Sequence, residues 1–305
     1  MGLTVFGGVA YDAISVGGGD VHEVLGGSAV YAGLAASVVG DVTVLGAVGD
    51  DCDAADLDVM GRRPSIRLAV DQVPGRTTRF RCDYDPRFSM RTTLEFDPGV
   101  ASDAGVPARW PNQIDVLFLA SGPPEIQLEA LDASSPRLSA VDTIDSWIDR
   151  DARTLERVVT KSSIVLMTVE ELLQFTGHDL VVDSATAVLR QGPRLVCVKQ
   201  GEFGAQVYGK DFRLALPAFE AFTTDPTGAG DAFAGAFLGH LAARGADVGD
   251  RRAVGEALVL ATAVSSICIE DFGTRALETA TMAEVERRCR VLLETVRLQM
   301  PVLRS

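Results

Sequence analysis

The run Asp225-Pro226-Thr227-Gly228-Ala229-Gly230-Asp231-Ala232-Phe233 sets small residues against a carboxylate at the mouth of an apolar stretch that reaches Leu241. Phe233, Phe237, Leu238 and Leu241 recur at helical spacing, so a glycine turn is predicted to feed a helix. The amides of Ala229, Gly230 and Asp231 then lie at a helix N-terminus, where unpaired N–H groups and the helix dipole attract an anion. A carboxylate in that first turn either favours the helix or takes a proton beside a bound phosphate. Phosphoryl transfer from ATP to an alcohol needs a base, positive potential around the moving group and a metal on the phosphates. The run offers the first two, with Asp231 as base and the three amides as an anion hole.

Three further segments carry polar residues at the ends of apolar runs. Near the N-terminus Asp12 follows Val9-Ala10-Tyr11, and Gly26-Gly27-Ser28-Ala29 precedes a helical pattern, with Gly46 through Gly49-Asp50-Asp51 beyond it. Paired glycines before a helix allow close backbone approach to a substrate. In the middle, Ile164-Val165-Leu166-Met167-Thr168 leads into Val169-Glu170-Glu171, where the acids also suit a helix start. Later, Lys199-Gln200-Gly201-Glu202-Phe203-Gly204 closes a strand with a turn. His22, His178 and His240 are scattered without metal-ligand spacing.

The 225–233 run resembles, nearly letter for letter, the C-terminal signature of the PfkB/ribokinase family of carbohydrate and nucleoside kinases. That resemblance implies an ATP-dependent kinase acting on a primary hydroxyl of a furanose, free or in a nucleoside, with Asp231 as catalytic base beside Gly228, Ala229 and Gly230. It places Asp12, Gly26, Gly27, Ser28 and Tyr31 at the acceptor; Tyr31 stands near the position of an Asn usual in the family, and fits a bulkier acceptor or core packing. Lys199, Gly201, Gly204, Thr227, Gly228 and Gly230 fall along the nucleotide, although a lone strand-end lysine is more often solvated. Glu171 matches a glutamate that orders Mg²⁺ through water, while Thr168 replaces the Asn that accompanies it. Asp225 and Thr227 match residues that hold a monovalent cation, K⁺ among them. A non-catalytic sensor of the same fold is the different-class alternative. A kinase of a phosphosugar or a hydroxymethyl-heterocycle is another, and for a phosphosugar Arg76, Arg79 and Arg81 form the one evident cationic cluster.

Composition narrows the setting. The 305 residues are 47% hydrophobic, enough for a sizeable core, and the net charge of −14 argues against nucleic acid or an anionic membrane as partner. Five cysteines, no two spaced as a CxxC pair, fit a reducing cytoplasm better than a disulfide framework. The N-terminus begins on a strand-like run without a basic leader, and no apolar stretch is long enough to span a membrane.

The elements that must position these residues alternate. Strands are predicted over Leu3–Val9, Val42–Val48, Val116–Ser121, Leu138–Asp142, Ile164–Thr168 and Leu195–Lys199. Helices are expected near Ser28–Val39, Ile126–Leu131, Ala152–Thr160, Val169–Phe175, Ser184–Arg190, Ala229–Ala243, Ala253–Cys268 and Met282–Leu298. Continuous apolar strands separated by helices imply an α/β fold, a mostly parallel sheet flanked by helices on both faces, with ligands at the strands' carboxyl ends. Ile66–Asp71, Thr77–Tyr84 and Met90–Phe96 break the alternation as three short Arg/Thr-rich strands. The expectation is one ribokinase-like α/β domain over 1–305 with a small inserted β lid at 65–97, which by the resemblance closes over the acceptor and can pair two subunits.

Overall fold

The computed structural model describes residues 2–296 except 89, 108, 109, 112 and 246. Its strands are β1 (Leu3–Phe6), β2 (Ala10–Val16), β3 (His22–Gly26), β4 (Val42–Val48), β5 (Ile66–Gln72), β6 (Thr78–Tyr84), β7 (Arg91–Asp97), β8 (Val116–Leu119), β9 (Leu138–Asp142), β10 (Ile164–Thr168), β11 (Leu195–Lys199), β12 (Ala205–Gly209) and β13 (Arg213–Leu216). The helices are α1 (Ser28–Ser37), α2 (Ala54–Gly61), α3 (Pro124–Asp132), α4 (Asp145–Lys161), α5 (Val169–Thr176), α6 (Val181–Gln191), α7 (Ala229–Arg244), α8 (Arg251–Cys268), α9 (Arg275–Thr279) and α10 (Met282–Thr295).

Nine strands form one large sheet in the order β13-β12-β11-β10-β9-β8-β1-β4-β5. From β5 to β11 every neighbour is parallel, and β12 and β13 complete one edge as an antiparallel ladder. Strands buried on both faces explain the unbroken apolar runs. One face packs Leu3, Val5 and Val44 against α1, α7 and α8, with Tyr31, Phe237 and Val264 in that core. The other packs Phe6, Leu117 and Val165 against α3 to α6, through Leu128, Leu155 and Leu172. Helix α7 approaches α1 closely because a Cβ on Gly235 would fall 2.1 Å from the carbonyl oxygen of Ala32.

A separate four-stranded sheet has the order β3-β2-β6-β7, antiparallel at its outer pairs and parallel between β2 and β6. Two strand expectations are corrected here. Ile66–Asp71 belongs to the large sheet, where β5 runs parallel to β4 from Val42↔Ile66 to Val48↔Gln72. Its polar residues reflect an edge position, which tolerates Arg67, Asp71 and Gln72. In its place, residues 10–26 supply half of the small sheet. Leu3–Val9 is not one strand: β1 stops at Phe6, and Gly7-Gly8 carries the chain across to β2. The antiparallel β12 and β13 were not anticipated, and of the helix expected to Leu298, residues 297 and 298 lie outside the described residues.

Candidate active site

A cavity of about 370 Å³ lies where the carboxyl ends of β1, β8, β9, β10 and β11 meet the N-terminus of α7, with the small sheet forming its far wall. Strand order reverses between β1 and β8, so this is the crevice that parallel topology leaves open for a ligand. Gly7 and Gly8, Ala120 to Pro123, Asp142 and Thr143, Thr168 and Lys199 line it from successive strand ends.

The signature loop shapes one end. Gly228 caps α7 at φ 75°, and a Cβ there would fall 2.2 Å from the Tyr31 ring. Only glycine meets both conditions. Ala229, Gly230 and Asp231 form the first turn of α7, with Thr227, Gly228, Gly230 and Asp231 on the cavity wall. The loop is pinned from beneath by Asp225, which is fully buried: its Oδ1 accepts from the Thr227 amide at 2.9 Å and its Oδ2 from the Gly273 amide at 2.8 Å. Burial raises the Asp225 pKa, and no described cation forms an ion pair with it. Asp231 is pushed up to about 7, first by burial and then by the charge of Asp142, with Lys199 opposing.

Lys199 is not solvated. It is paired with Asp142, and a Cβ on Gly230 would lie 3.2 Å from its Nζ, so the ammonium sits against the first turn of α7. Burial alone would lower its pKa; Asp142, Glu171 and Asp231 outweigh that and hold it protonated. Gly201 and Gly204 fall in the turn leaving β11, outside the walls of this cavity.

Asp12, on β2, faces the cavity from the small sheet and is 3% exposed. Its Oδ2 accepts from the Gly27 amide at 3.2 Å, and burial pushes its pKa up to about 7. Gly26 lies behind it, where a Cβ would collide with Asp12 Oδ2 at 2.1 Å, so its contribution is space for the acid. Ser28 Oγ accepts from the Gly8 amide and donates to the Ser121 carbonyl, joining the ends of β1 and β8. Tyr31 lines the cavity, and its buried hydroxyl lies near Asp12, whose charge adds to burial in raising the hydroxyl pKa.

Thr168 and Glu171 form a reciprocal cap on α5: Thr168 Oγ1 accepts from the Glu171 amide and Glu171 Oε2 accepts from the Thr168 amide at 2.8 Å. The substitution of Thr for Asn thus retains a helix cap. Burial, opposed by Lys199, pushes Glu171 up to about 7, and its carboxylate reaches the cavity. No cluster of three or more metal-ligating side chains occurs among the described residues. Arg76, Arg79 and Arg81 are absent from the cavity wall: Arg79 pairs with Asp51 and Glu23, and Arg76 with Asp97. Strand alternation turns 79 and 81 away from the face that Phe80 presents, so the cationic cluster suggested for a phosphosugar does not form at the acceptor.

Several lining residues were given no site role by the sequence: Gln127, Phe80, Tyr84, Arg91 and Phe96, and also Asp142 and Trp147, which the sequence marks only as an Asp-Thr-x-x-x-Trp segment. Asp142 had a signal, an acid ending the apolar run Leu138–Val141 at a parallel strand's carboxyl end. Tyr84 had none; its hydroxyl accepts from Thr227 Oγ1 at 3.1 Å and ties the small sheet to the signature loop.

Comparison with known proteins gives this geometry its context. The cytidine kinase of Thermococcus kodakarensis is 30% identical over 245 residues, 77% of this chain and 87% of the relative. Fructokinase-1 of Oryza sativa is 35% identical over a shorter stretch, 40% of this chain and 38% of the relative. Among solved structures, the nucleoside kinase of Burkholderia thailandensis in complex with inosine superposes with a TM-score of 0.76 at 22% identity, covering 96% of this chain and 99% of that one. The fructokinase of Vibrio cholerae, solved with fructose, ADP and calcium ion, gives 0.78 at 19% identity over 94% and 98%. These two likenesses speak for the fold. The family model for pfkB family carbohydrate kinases matches residues 3–280, and the chain belongs to that family.

Proposed function

We propose that the protein transfers the γ-phosphoryl group of ATP to a primary hydroxyl of a furanose, free or within a nucleoside. The observation that carries this reading is the convergence of Asp231, the first-turn amides of α7 and Lys199 at one end of a cavity whose other wall presents Asp12. Asp12 accepts hydrogen bonds from ring hydroxyls and fixes the acceptor. Asp231 takes the proton of the attacking hydroxyl as its oxygen bonds to Pγ and the bond from Pγ to the ADP oxygen breaks. The amides of Ala229, Gly230 and Asp231, with the Lys199 ammonium, meet the charge that grows on the transferred group.

The side chains present fit two ions. Glu171, an oxygen donor at the cavity wall, suits a hard divalent cation whose remaining ligands are water and phosphate. Mg²⁺ there would neutralise phosphate charge. Asp225, buried and bonded by the Thr227 and Gly273 amides, together with Thr227 suits a monovalent cation such as K⁺, which would offset a buried negative charge behind the anion hole. The small sheet is read as a lid that can also pair two subunits, with Val21 47% and Leu94 52% exposed. The reducing cytoplasm remains the compartment that five free thiols favour.

A coupled ADP-release assay over ribose, fructose, adenosine, cytidine and inosine tests the reaction. Acceptor-dependent ADP release with at least one of them is expected. ATP binding without release for any acceptor would instead favour the sensing role.

A further inference from the structure

One row of side chains crosses the small sheet on its cavity side. Asp12 on β2 is in register with Phe80 on β6, and Phe80 with Phe96 on β7. All three line the cavity. Neighbouring strands lie about 4.8 Å apart, so the row runs from a carboxylate to an aromatic surface over a distance of about 10 Å. A furanose spans roughly the first interval and a flat ring the second.

The aromatic end is continued by the body of the protein. Phe96 meets Phe80 edge-on at 6.4 Å between centroids, and meets Trp147 at the start of α4 edge-on at 6.2 Å. The Arg91 guanidinium lies 5.4 Å from the Phe80 ring and brings donors to that end. Ile144 and Pro98 are among the apolar neighbours.

Gln127 supplies the directional element. It is 3% exposed, and its Nε2 donates at 3.0 Å to both the Ala120 and the Asp142 carbonyls. Two carbonyl partners fix which end of the amide is nitrogen. Oε1 is thus the end of this cavity-lining residue left buried without a partner. An unpaired buried acceptor is costly unless a ligand donates to it. A free hexose or pentose bound at Asp12 and Asp231 leaves the aromatic end unfilled.

We infer that this end of the cavity is a subsite for a planar nitrogen heterocycle with an N–H donor, so that the acceptor is a nucleoside whose ribose meets Asp12 and Asp231 while its base packs on Phe80, Phe96 and Trp147 and donates to Gln127 Oε1. The inference rests on the phosphoryl-transfer reading for the fate of the ribose hydroxyl, while recognition of the base stands on the row itself.

The experiment pairs turnover with binding. Steady-state kinetics with cytidine, inosine and ribose are measured for wild type, Phe96→Ala, Phe96→Leu and Gln127→Leu, alongside calorimetric titration of the same ligands without ATP. The expected wild-type kcat/KM is at least tenfold higher for a nucleoside than for ribose. Phe96→Ala should lower that ratio about tenfold through KM, the scale of one lost base–aromatic contact, with Phe96→Leu intermediate. Gln127→Leu should weaken nucleoside binding by a similar factor. Ribose bound and turned over as well as nucleosides, or Phe96→Ala variants that keep the wild-type ratio, would overturn the subsite. If nucleosides bind with this pattern but nothing is phosphorylated, the subsite stands and the kinase reading falls.

Discussion

Lys199 Nζ lies 2.5 Å from Asp142 Oδ2, and the two side chains are 12% and 2% exposed. The pair joins the carboxyl ends of β9 and β11, with β10 between them. Glu171 and Asp231 act on the same ammonium. One lysine therefore serves three carboxylates, and Asp142, bonded to it, determines how much of its charge is left for the other two. Removing a partner from a buried pair is costly when the remaining charge has nowhere to turn; here Lys199 has two acids beside it.

Asp142→Asn should therefore fold, with Lys199 turning toward Asp231. Loss of the Asp142 charge and a closer ammonium both lower the pKa of the base. In the wild type, kcat/KM should rise as pH passes upward through about 7, because Asp231 must be ionised to accept a proton. In the variant that limb should move to lower pH, and the maximal kcat should fall by about tenfold or more as a less basic carboxylate pulls the proton less strongly. A pH–rate profile with an unmoved limb would separate Asp142 from the titration of the base.

Asp231→Asn should cut turnover by about 10²–10⁴-fold while ATP still binds. It should also raise Tm at pH 8. The folded-state pKa of Asp231 lies above its ordinary value, so above about pH 7 a buried charge opposes folding, and the amide carries none. Turnover above about a tenth of wild type would show that another group takes the proton.

Gly230→Val should lower kcat more than it raises acceptor KM. A Cβ at this position already lies 3.2 Å from Lys199 Nζ, and a branched side chain would displace both ammonium and phosphoryl group from the amides. Loss of one such donor elsewhere costs about 2.7–4 kcal/mol in the transition state. An unchanged kcat with a weakened acceptor KM would locate the loop at the sugar.

Tyr84→Phe removes the hydrogen bond from Thr227 Oγ1 that links β6 to the signature loop. If the small sheet closes over the acceptor, the variant should waste more ATP to water, since closure is what excludes it. Hydrogen exchange should show residues 78–97 gaining protection with acceptor and an unreactive ATP analogue in the wild type, and gaining less in Tyr84→Phe. Equal protection in both proteins would mean this bond does not couple lid and loop.

Much of the large sheet was legible because its strands are buried on both faces and advertise themselves as apolar runs such as Leu195–Val198. The glycine turn before α7 was legible because Gly228 and Gly230 answer local demands of backbone and space. What escaped was set by pairing at long range. Ala10–Val16 looks like a continuation of β1, and only the partnership of β2 with β6, some seventy residues on, reveals it as part of the small sheet. Ile66–Gln72 has the composition of a surface strand, and its parallel register with β4 depends on contacts that no local pattern encodes. Asp142 and Trp147 stand out as an Asp-Thr-x-x-x-Trp segment, yet that pattern assigns them no role, and Gln127 has no motif; their meeting follows from β9 lying between β8 and β10.

The crossing at Gly7-Gly8 has a consequence for how this architecture can be rearranged. The chain enters the small sheet at β2, leaves after β3, builds β4 and β5 of the large sheet, and returns for β6 and β7. The roof over the cavity is thus stitched from two separate lengths of chain that embrace a piece of the body. It cannot be excised or transplanted as a cassette: a linker in place of residues 66–96 would strip the edge strand β5 from the body and leave β2 without its partner. Recombination that swaps one stretch would produce a mismatched seam between β2 and β6. If the acceptor binds as proposed, a change in its preference draws on point substitutions in both lengths, with Asp12 on one and Phe80 and Phe96 on the other.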